Sequence, residues 1–307
     1  MVKENEIINI EGFIIPISNK NKIFWPDLNF YKEDLIKFYI NTGKYIIPHI
    51  VQRPLSLHRF PEGVNNPGFY QKNLSYLNCP GWVTRQKIKS KLNKKITEYA
   101  VGSDLKNIVY LANLGTIEFH CWNSTIAHLN FPNYFIIDLD PVEIEFKEVI
   151  STAIVIRQLL SYLGLQAFCK TTGGRGLHIY VRLDGKKNYS CIQKICFQLV
   201  QCIHKKLPTE TSLERNPKKR KGKIYLDYLQ NNFAQTVIAP YSLRANEIAS
   251  VATPLCWEEL NPKLKPEQFT IQTIPVRLNS RGEVWKNYFE PISNIDYKTL
   301  QKKMKRL

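Results

Sequence analysis

The segment Asn133-Tyr-Phe-Ile-Ile-Asp-Leu-Asp-Pro141 constrains the fold more than any other in this 307-residue chain. An apolar run closed by two acids and a proline reads as a strand that ends where proline removes a ladder donor. Side chains alternate along a strand, so Asp138 and Asp140 share one face. Two carboxylates held that close repel unless a cation lies between them, and hard oxygen donors suit Mg²⁺ or Mn²⁺. In phosphoryl transfer such ions bridge the nucleophile and the substrate phosphates. The competing reading is a pair of acids at a strand-to-helix turn, with Asp140 helping Pro141 to start the next helix. A third acid, Asp227, lies in the apolar strand Lys223-Ile-Tyr-Leu-Asp-Tyr-Leu-Gln-Asn231. An unpaired carboxylate is costly there, so it either pairs with a nearby Lys or Arg or joins the other two around metal.

The segment Lys170-Thr-Thr-Gly-Gly-Arg-Gly-Leu-His178 joins two further strands, Gln166–Lys170 and Leu177–Arg182. Gly173, Gly174 and Gly176 let backbone N–H groups approach an anion, and Thr172 adds a hydroxyl donor. His178 returns on the following strand within reach of a phosphate. The spacing matches neither a phosphate-binding P-loop nor a dinucleotide fingerprint, which disfavours those classes. A plain glycine-rich hairpin with a core histidine is the alternative. Arg244, in Thr236-Val-Ile-Ala-Pro-Tyr-Ser-Leu-Arg-Ala245, is a candidate for neutralising a triphosphate, or else a surface arginine. His120 follows Glu118 on the strand Thr116–His120, and a satisfied core histidine is its default reading.

Elsewhere the pattern gives a strand and turn over 6–16, a helix over 31–41 and aromatic loop over 68–84. Helical spacing returns over Glu145–Leu163, with Gly164 as C-cap, and over 189–206. Lys87–Lys95 reads as a basic surface stretch, Ile108–Leu114 as helix or strand, and Arg215–Lys223 as a basic loop. From Thr236 the chain reads as proline-containing loops with a last strand near Ile274–Leu278. Strands alternating with helices predict an α+β or α/β enzyme on a mainly antiparallel or mixed sheet flanked by helices.

Lysine and arginine number 43 against 26 acids, a formal charge of +17 that favours a polyanionic partner. A lysine-rich codon bias would leave the same imbalance. The seven cysteines show no C-x-x-C pair and no zinc spacing, which predicts reduced thiols in a cytoplasmic protein. The N-terminus lacks the apolar core of a signal peptide, and Val149–Leu165 is too short and too interrupted to span a membrane. A soluble, intracellular protein without a membrane partner is expected.

Taken together, Asp138-Leu-Asp-Pro141, Lys170–His178, Tyr225-Leu-Asp-Tyr-Leu-Gln-Asn231 and Ala239-Pro-Tyr-Ser-Leu-Arg244 resemble the polymerase domain of bacterial end-joining DNA ligase D. That family belongs to the archaeo-eukaryotic primase superfamily. Arg53-Pro-Leu-Ser-Leu-His-Arg-Phe-Pro-Glu-Gly63, Leu111–His120 and Thr253–Leu260 match it as well, so the resemblance covers nearly the whole chain. It implies one primase-like domain over 1–307, with a 5′-phosphate-binding region within 1–60. It implies a template-directed polymerase that fills or extends DNA ends in non-homologous end joining.

At matching positions the resemblance implies that Asp138, Asp140 and Asp227 bind two metal ions, Mn²⁺ or Mg²⁺. Lys170, Thr172, Gly173, Gly174, His178, Gln230 and Arg244 would meet the incoming NTP or dNTP, with His120 lining the same nucleotide site. Phe69 and Tyr70 match an aromatic pair that stacks near template and incoming base. Asn19, Lys22 and Lys32 match positions that grip a 5′-phosphate at a gap; Arg53, His58 and Lys72 complete the expected DNA contacts. Family members often carry Ser at Thr172 and Phe at Tyr70, and both changes keep the relevant chemistry. The chain ends at Leu307 soon after the polymerase-like part, so any DNA ligase is expected as a separate partner, beside a Ku-like end-binding protein. A primase that starts chains de novo, or a non-catalytic DNA-end-binding protein, are the alternatives.

Overall fold

Residues 6–90, 94–220 and 222–307 are described in the computed structural model of the chain. The N-terminal pentapeptide, residues 91–93 of the basic stretch and Lys221 of the basic loop lie outside the described residues. The first part opens with a hairpin of β1 (Glu6–Ile10) and β2 (Phe13–Ile17), then a short ribbon of β3 (Ile23–Trp25) and β4 (Phe30–Tyr31). Helix α1 (Lys32–Ile50) starts where Asp34 accepts a 2.7 Å bond from the Tyr31 amide, and acids in its first turn suit the helix dipole. It runs well past the end expected at residue 41, through Gly43 and Pro48. Gly43 leaves room for a neighbouring helix: a Cβ there would stand 2.5 Å from the Leu105 side chain.

Strands β5 (Pro54–Arg59), β6 (Phe69–Gln71), β7 (Arg85–Lys89) and β8 (Ile96–Val101) follow, then α2 (Leu105–Asn113) and β9 (Thr116–Cys121). The aromatic loop expected over 68–84 thus holds a strand, and the first residues of the basic stretch, Lys87–Lys89, lie on the exposed strand β7. Lysines on such a strand discourage a second chain from pairing with it. The middle of the chain is closer to expectation: β10 (Tyr134–Pro141), α3 (Phe146–Tyr162), β11 (Ala167–Thr171), β12 (Leu177–Arg182), α4 (Tyr189–Lys206), β13 (Thr211–Ser212) and β14 (Ile224–Asp227). Short strands β15 (Val237–Ile238) and β16 (Pro254–Leu255) precede α5 (Thr273–Arg281) and α6 (Tyr297–Met304).

The strand expected near Ile274–Leu278 is helix α5 instead. Ile274, Val276 and Leu278 alternate like a strand, but only Ile274 and Leu278, four apart, are buried; Val276 is 69% exposed. Pro275 falls in the first helical turn, where its missing N–H has no intrahelical partner to lose.

Two compact units are interleaved along the sequence. The first comprises residues up to 126 together with 236–252 and 267–282; the second comprises 127–235, 253–266 and 283–307. The first unit's sheet runs β15-β9-β5-β8-β7, with β6 pairing the far part of β5. Its register sets His58 opposite both Glu118 and Tyr70, and Ser56 opposite His120. Leu55, Leu57, Ile117 and Phe119 are fully buried from these strands. The second unit's sheet runs β13-β14-β10-β12-β11-β16, antiparallel throughout except for β13 with β14. The α+β class and mixed, mainly antiparallel sheet are therefore as the pattern predicts. No helix among the described residues is long and apolar enough to cross a membrane.

Candidate active site

In the second unit β10 is central, which explains its apolar sequence: Tyr134 to Ile137 and Leu139 are all buried. Its neighbour β14 places Asp227 directly opposite Asp138, while Asp140 pairs in register with Tyr225. On the other side β12 sets His178 opposite Asp138, with Nε2 3.5 Å from Oδ1. Burial pushes the Asp227 carboxyl above its ordinary pKa, and the negative charges of Asp138 and Asp140 add to that push. The Leu229 amide (2.8 Å) and the Gln230 side chain (3.4 Å) both donate to Asp227. The ion pair considered for Asp227 forms at Asp140 instead: Arg220 Nη1 lies 2.6 Å from Oδ2.

Arg220 belongs to the basic loop Arg215–Lys223, which the sequence marks only as surface charge. It is 5% exposed, donates to the carbonyls of Glu214 and Arg215, and lies over the Tyr225 ring. Asn231 is a second omission: its amide bonds both the N–H (2.8 Å) and C=O (2.7 Å) of Ile136 and pins the loop after β14 to β10. For Asn231 the signal was a polar residue just beyond an apolar strand, where burial demands a partner; Arg220 stands among lysines with nothing local to single it out.

The glycine-rich segment turns between β11 and β12. Thr172 Oγ1 accepts from the amides of Gly174 (3.1 Å) and Gly176 (3.3 Å). With its lone pairs engaged, the hydroxyl keeps one proton to donate. Two of the amides expected to face an anion are thus turned onto Thr172. Gly173 adopts φ 73°, a left-handed conformation that suits glycine. Lys170 is fully buried in register with His178, and its ammonium donates to the Thr171 carbonyl at 3.2 Å.

The first unit carries the other predicted nucleotide residues, gathered around one carboxylate. Glu118 is 3% exposed, and its Oε2 lies 2.8 Å from His120 Nε2, 3.1 Å from His58 Nδ1 and 3.2 Å from Arg244 Nη1. Oε1 accepts from the Ala245 amide at 3.0 Å. Burial alone would raise the Glu118 carboxyl, but the two imidazoles and the Arg244 guanidinium outweigh it and hold the group well below the usual carboxylate range. Burial keeps His120 below its ordinary pKa despite the Glu118 charge. His120 is thus a buried, partnered histidine, while Arg244 retains partial exposure. Among the described residues, the three metal-ligating side chains whose ligand atoms all lie within 4.8 Å of one another are His58, Glu118 and His120, not the three aspartates.

Phe69 and Tyr70 stand 46% and 56% exposed on β6. Tyr70 stacks on His58 with centroids 4.1 Å apart and planes 6° from parallel; Arg59 lies over Phe69. Lys72 beyond them is exposed. Near the N-terminus, Asn19 turns the chain at φ 51° and its carbonyl accepts from the Lys22 amide. The Lys22 ammonium pairs with Glu62 at 2.9 Å, and that of Lys32 donates to the Ser18 carbonyl at 2.6 Å. Arg53 departs from its expected DNA contact: it is 7% exposed and its guanidinium donates to the carbonyls of His49 and Trp122. A guanidinium so engaged braces the end of α1 rather than facing a phosphate.

Against this geometry stand the comparisons with known proteins. Residues 31–285 match the family model of the LigD primase-polymerase domain. The chain is 30% identical over 277 residues to a multifunctional non-homologous end joining protein LigD of Pseudomonas aeruginosa, covering 89% of this chain and 33% of that protein. It is 30% identical over 288 residues to a bifunctional non-homologous end joining protein LigD of Bacillus subtilis, covering 92% and 46%. The chain therefore spans a third to just under half of these relatives' length. The solved polymerase domain of Mycobacterium tuberculosis ligase D in complex with DNA superposes with a TM-score of 0.82 at 26% identity, covering 88% of this chain and 96% of that one.

Proposed function

Because the chain belongs to the LigD primase-polymerase domain family, we propose that it is a template-directed nucleotidyltransferase that fills or extends broken DNA ends in non-homologous end joining. The observation that supports this reading best is the opposition of Asp138 and Asp227 on adjacent central strands, with Asp140 two residues along. The three carboxylates fit a divalent cation: all are hard oxygen donors, and Asp227, raised by burial, is raised further by the charges of Asp138 and Asp140. Asp138, Asp140 and Asp227 would hold Mg²⁺ or Mn²⁺, which when bound supplies charge neutralisation and activation of a primer hydroxyl.

The chain's own residues do the rest. Gln230 and the Leu229 amide fix the Asp227 carboxylate, and β12 presents His178 beside Asp138. We assign Lys170, Thr172, Gly173, Gly174, His178 and Gln230 on the second unit to the incoming nucleotide, with Thr172 donating its remaining hydroxyl proton. His120 and Arg244 keep that assignment on the first unit, where Glu118 orients both. Phe69 and Tyr70 offer exposed rings for base stacking, and Asn19, Lys22 and Lys32 are assigned to a 5′-phosphate. A DNA ligase and a Ku-like end-binding protein are the proposed partners, in the cytoplasm.

Primer extension on gapped, 5′-phosphorylated DNA tests the reading. Asp138→Ala and Asp227→Ala are expected to abolish extension while DNA binding persists. Wild-type extension by either variant in Mg²⁺ or Mn²⁺ would overturn it.

A further inference from the structure

We propose that His58, Glu118 and His120 form a site for a transition-metal ion, of the Zn²⁺ or Co²⁺ class, with ligands distinct from the three aspartates. The three lie on one face of paired strands: Glu118 and His120 are two apart on β9, and His58 is the register partner of Glu118 on β5. Strand pairing therefore fixes all three Cβ positions before any ion arrives, a preorganisation that loops do not provide. The candidate ligand atoms, one from each side chain, all lie within 4.8 Å of one another.

The donor types select the metal. Two imidazoles and one carboxylate match borderline ions such as Zn²⁺ and Co²⁺, whereas Mg²⁺ and Ca²⁺ require oxygen. His58 Nδ1 is buried and, although Glu118 Oε2 is 3.1 Å away, the contact lacks hydrogen-bond geometry. That nitrogen is aimed at the carboxylate without being satisfied by it. An ion taking both nitrogens and Oε2 would require the proton of His120 Nε2 to leave or to move to Nδ1. It would also displace the Arg244 guanidinium, which holds the same Oε2 at 3.2 Å. Arg244 is thus a built-in competitor, and metal at this site would release it from Glu118.

The inference rests on the first unit's geometry and does not need the polymerase reading. The test is a titration of the whole, chelator-stripped chain with Co²⁺, followed by visible absorption and calorimetry. His58→Phe, which keeps a ring against Tyr70, and His120→Gln should each weaken Co²⁺ binding by more than about tenfold and remove the ligand-field band. Asp227→Asn should leave that band intact, and Arg244→Gln should tighten binding. Near-ultraviolet circular dichroism identifies any variant that fails to fold. Co²⁺ affinity unchanged in folded His58→Phe, or a band that disappears with Asp227→Asn, would overturn the proposal.

Discussion

Lys32 reaches from the first turn of α1 to Ser18, and burial together with the neighbouring charges of Lys22 and Arg59 brings its pKa down to about 8 from 10.5. Between those two values the unfolded chain carries a proton that the folded chain has lost, so stability should rise with pH across that window. Urea midpoints measured on either side of it check the sign, and Lys32→Met should flatten the slope. A bound 5′-phosphate favours the charged form. Affinity for a 5′-phosphorylated end should therefore fall as pH climbs through about 8, and a flat profile in wild type would count against the phosphate role. Lysine at position 32 is plain in the sequence, but its burial is not. The pattern at 31–41 shows an amphipathic helix and gives no sign that Ser18 folds over its first turn.

At the level of elements, Gly176 links the glycine-rich turn to the strand bearing the aspartates. A Cβ there would stand 2.3 Å from the Leu139 carbonyl oxygen, between Asp138 and Asp140. Backbone cannot swing aside as a flexible side chain can, so Gly176→Ala should cost about 1–3 kcal/mol. It should also depress primer extension by displacing β10. Gly174→Ala, whose Cβ meets only the Thr172 hydroxyl at 3.5 Å, should be mild by comparison. Equal denaturant midpoints for the two variants would remove the argument. Helices α3 and α4 were legible because one face is buried over many residues, and β10 because its apolar run is buried on both faces. Strand β7 was hidden by its lysines, and α5 by an accidental alternation that burial contradicts.

For the whole molecule, the formal charge of +17 makes counterion release a large term in any DNA complex. Affinity for gapped DNA should fall steeply with salt, with a log–log slope of about −0.9 for each phosphate contacted. Filter binding across a salt series measures it, and a near-zero slope would exclude the charged surface as the DNA contact. Not every cation belongs to that surface. Arg53 and Arg220 are buried in hydrogen bonds and should contribute little to the slope.

By itself the sequence determined the central strand β10, the two long helices α3 and α4 and where the acids interrupt the apolar pattern, because those follow from local periodicity. It also carried the family motifs in order, and with them the expected chemistry. Only the tertiary structure decided that Asp227 faces Asp138 across a strand pair, that Arg220 goes to Asp140, and that Glu118 gathers His58, His120 and Arg244. Apart from His120, two residues from Glu118, those partners are separated by tens of residues or more, and Arg244 joins its set only after the chain has left the first unit and returned. Which distant strands pair is set by burial and register over the whole fold, so no local pattern around Asp140 or Glu118 could name its partner.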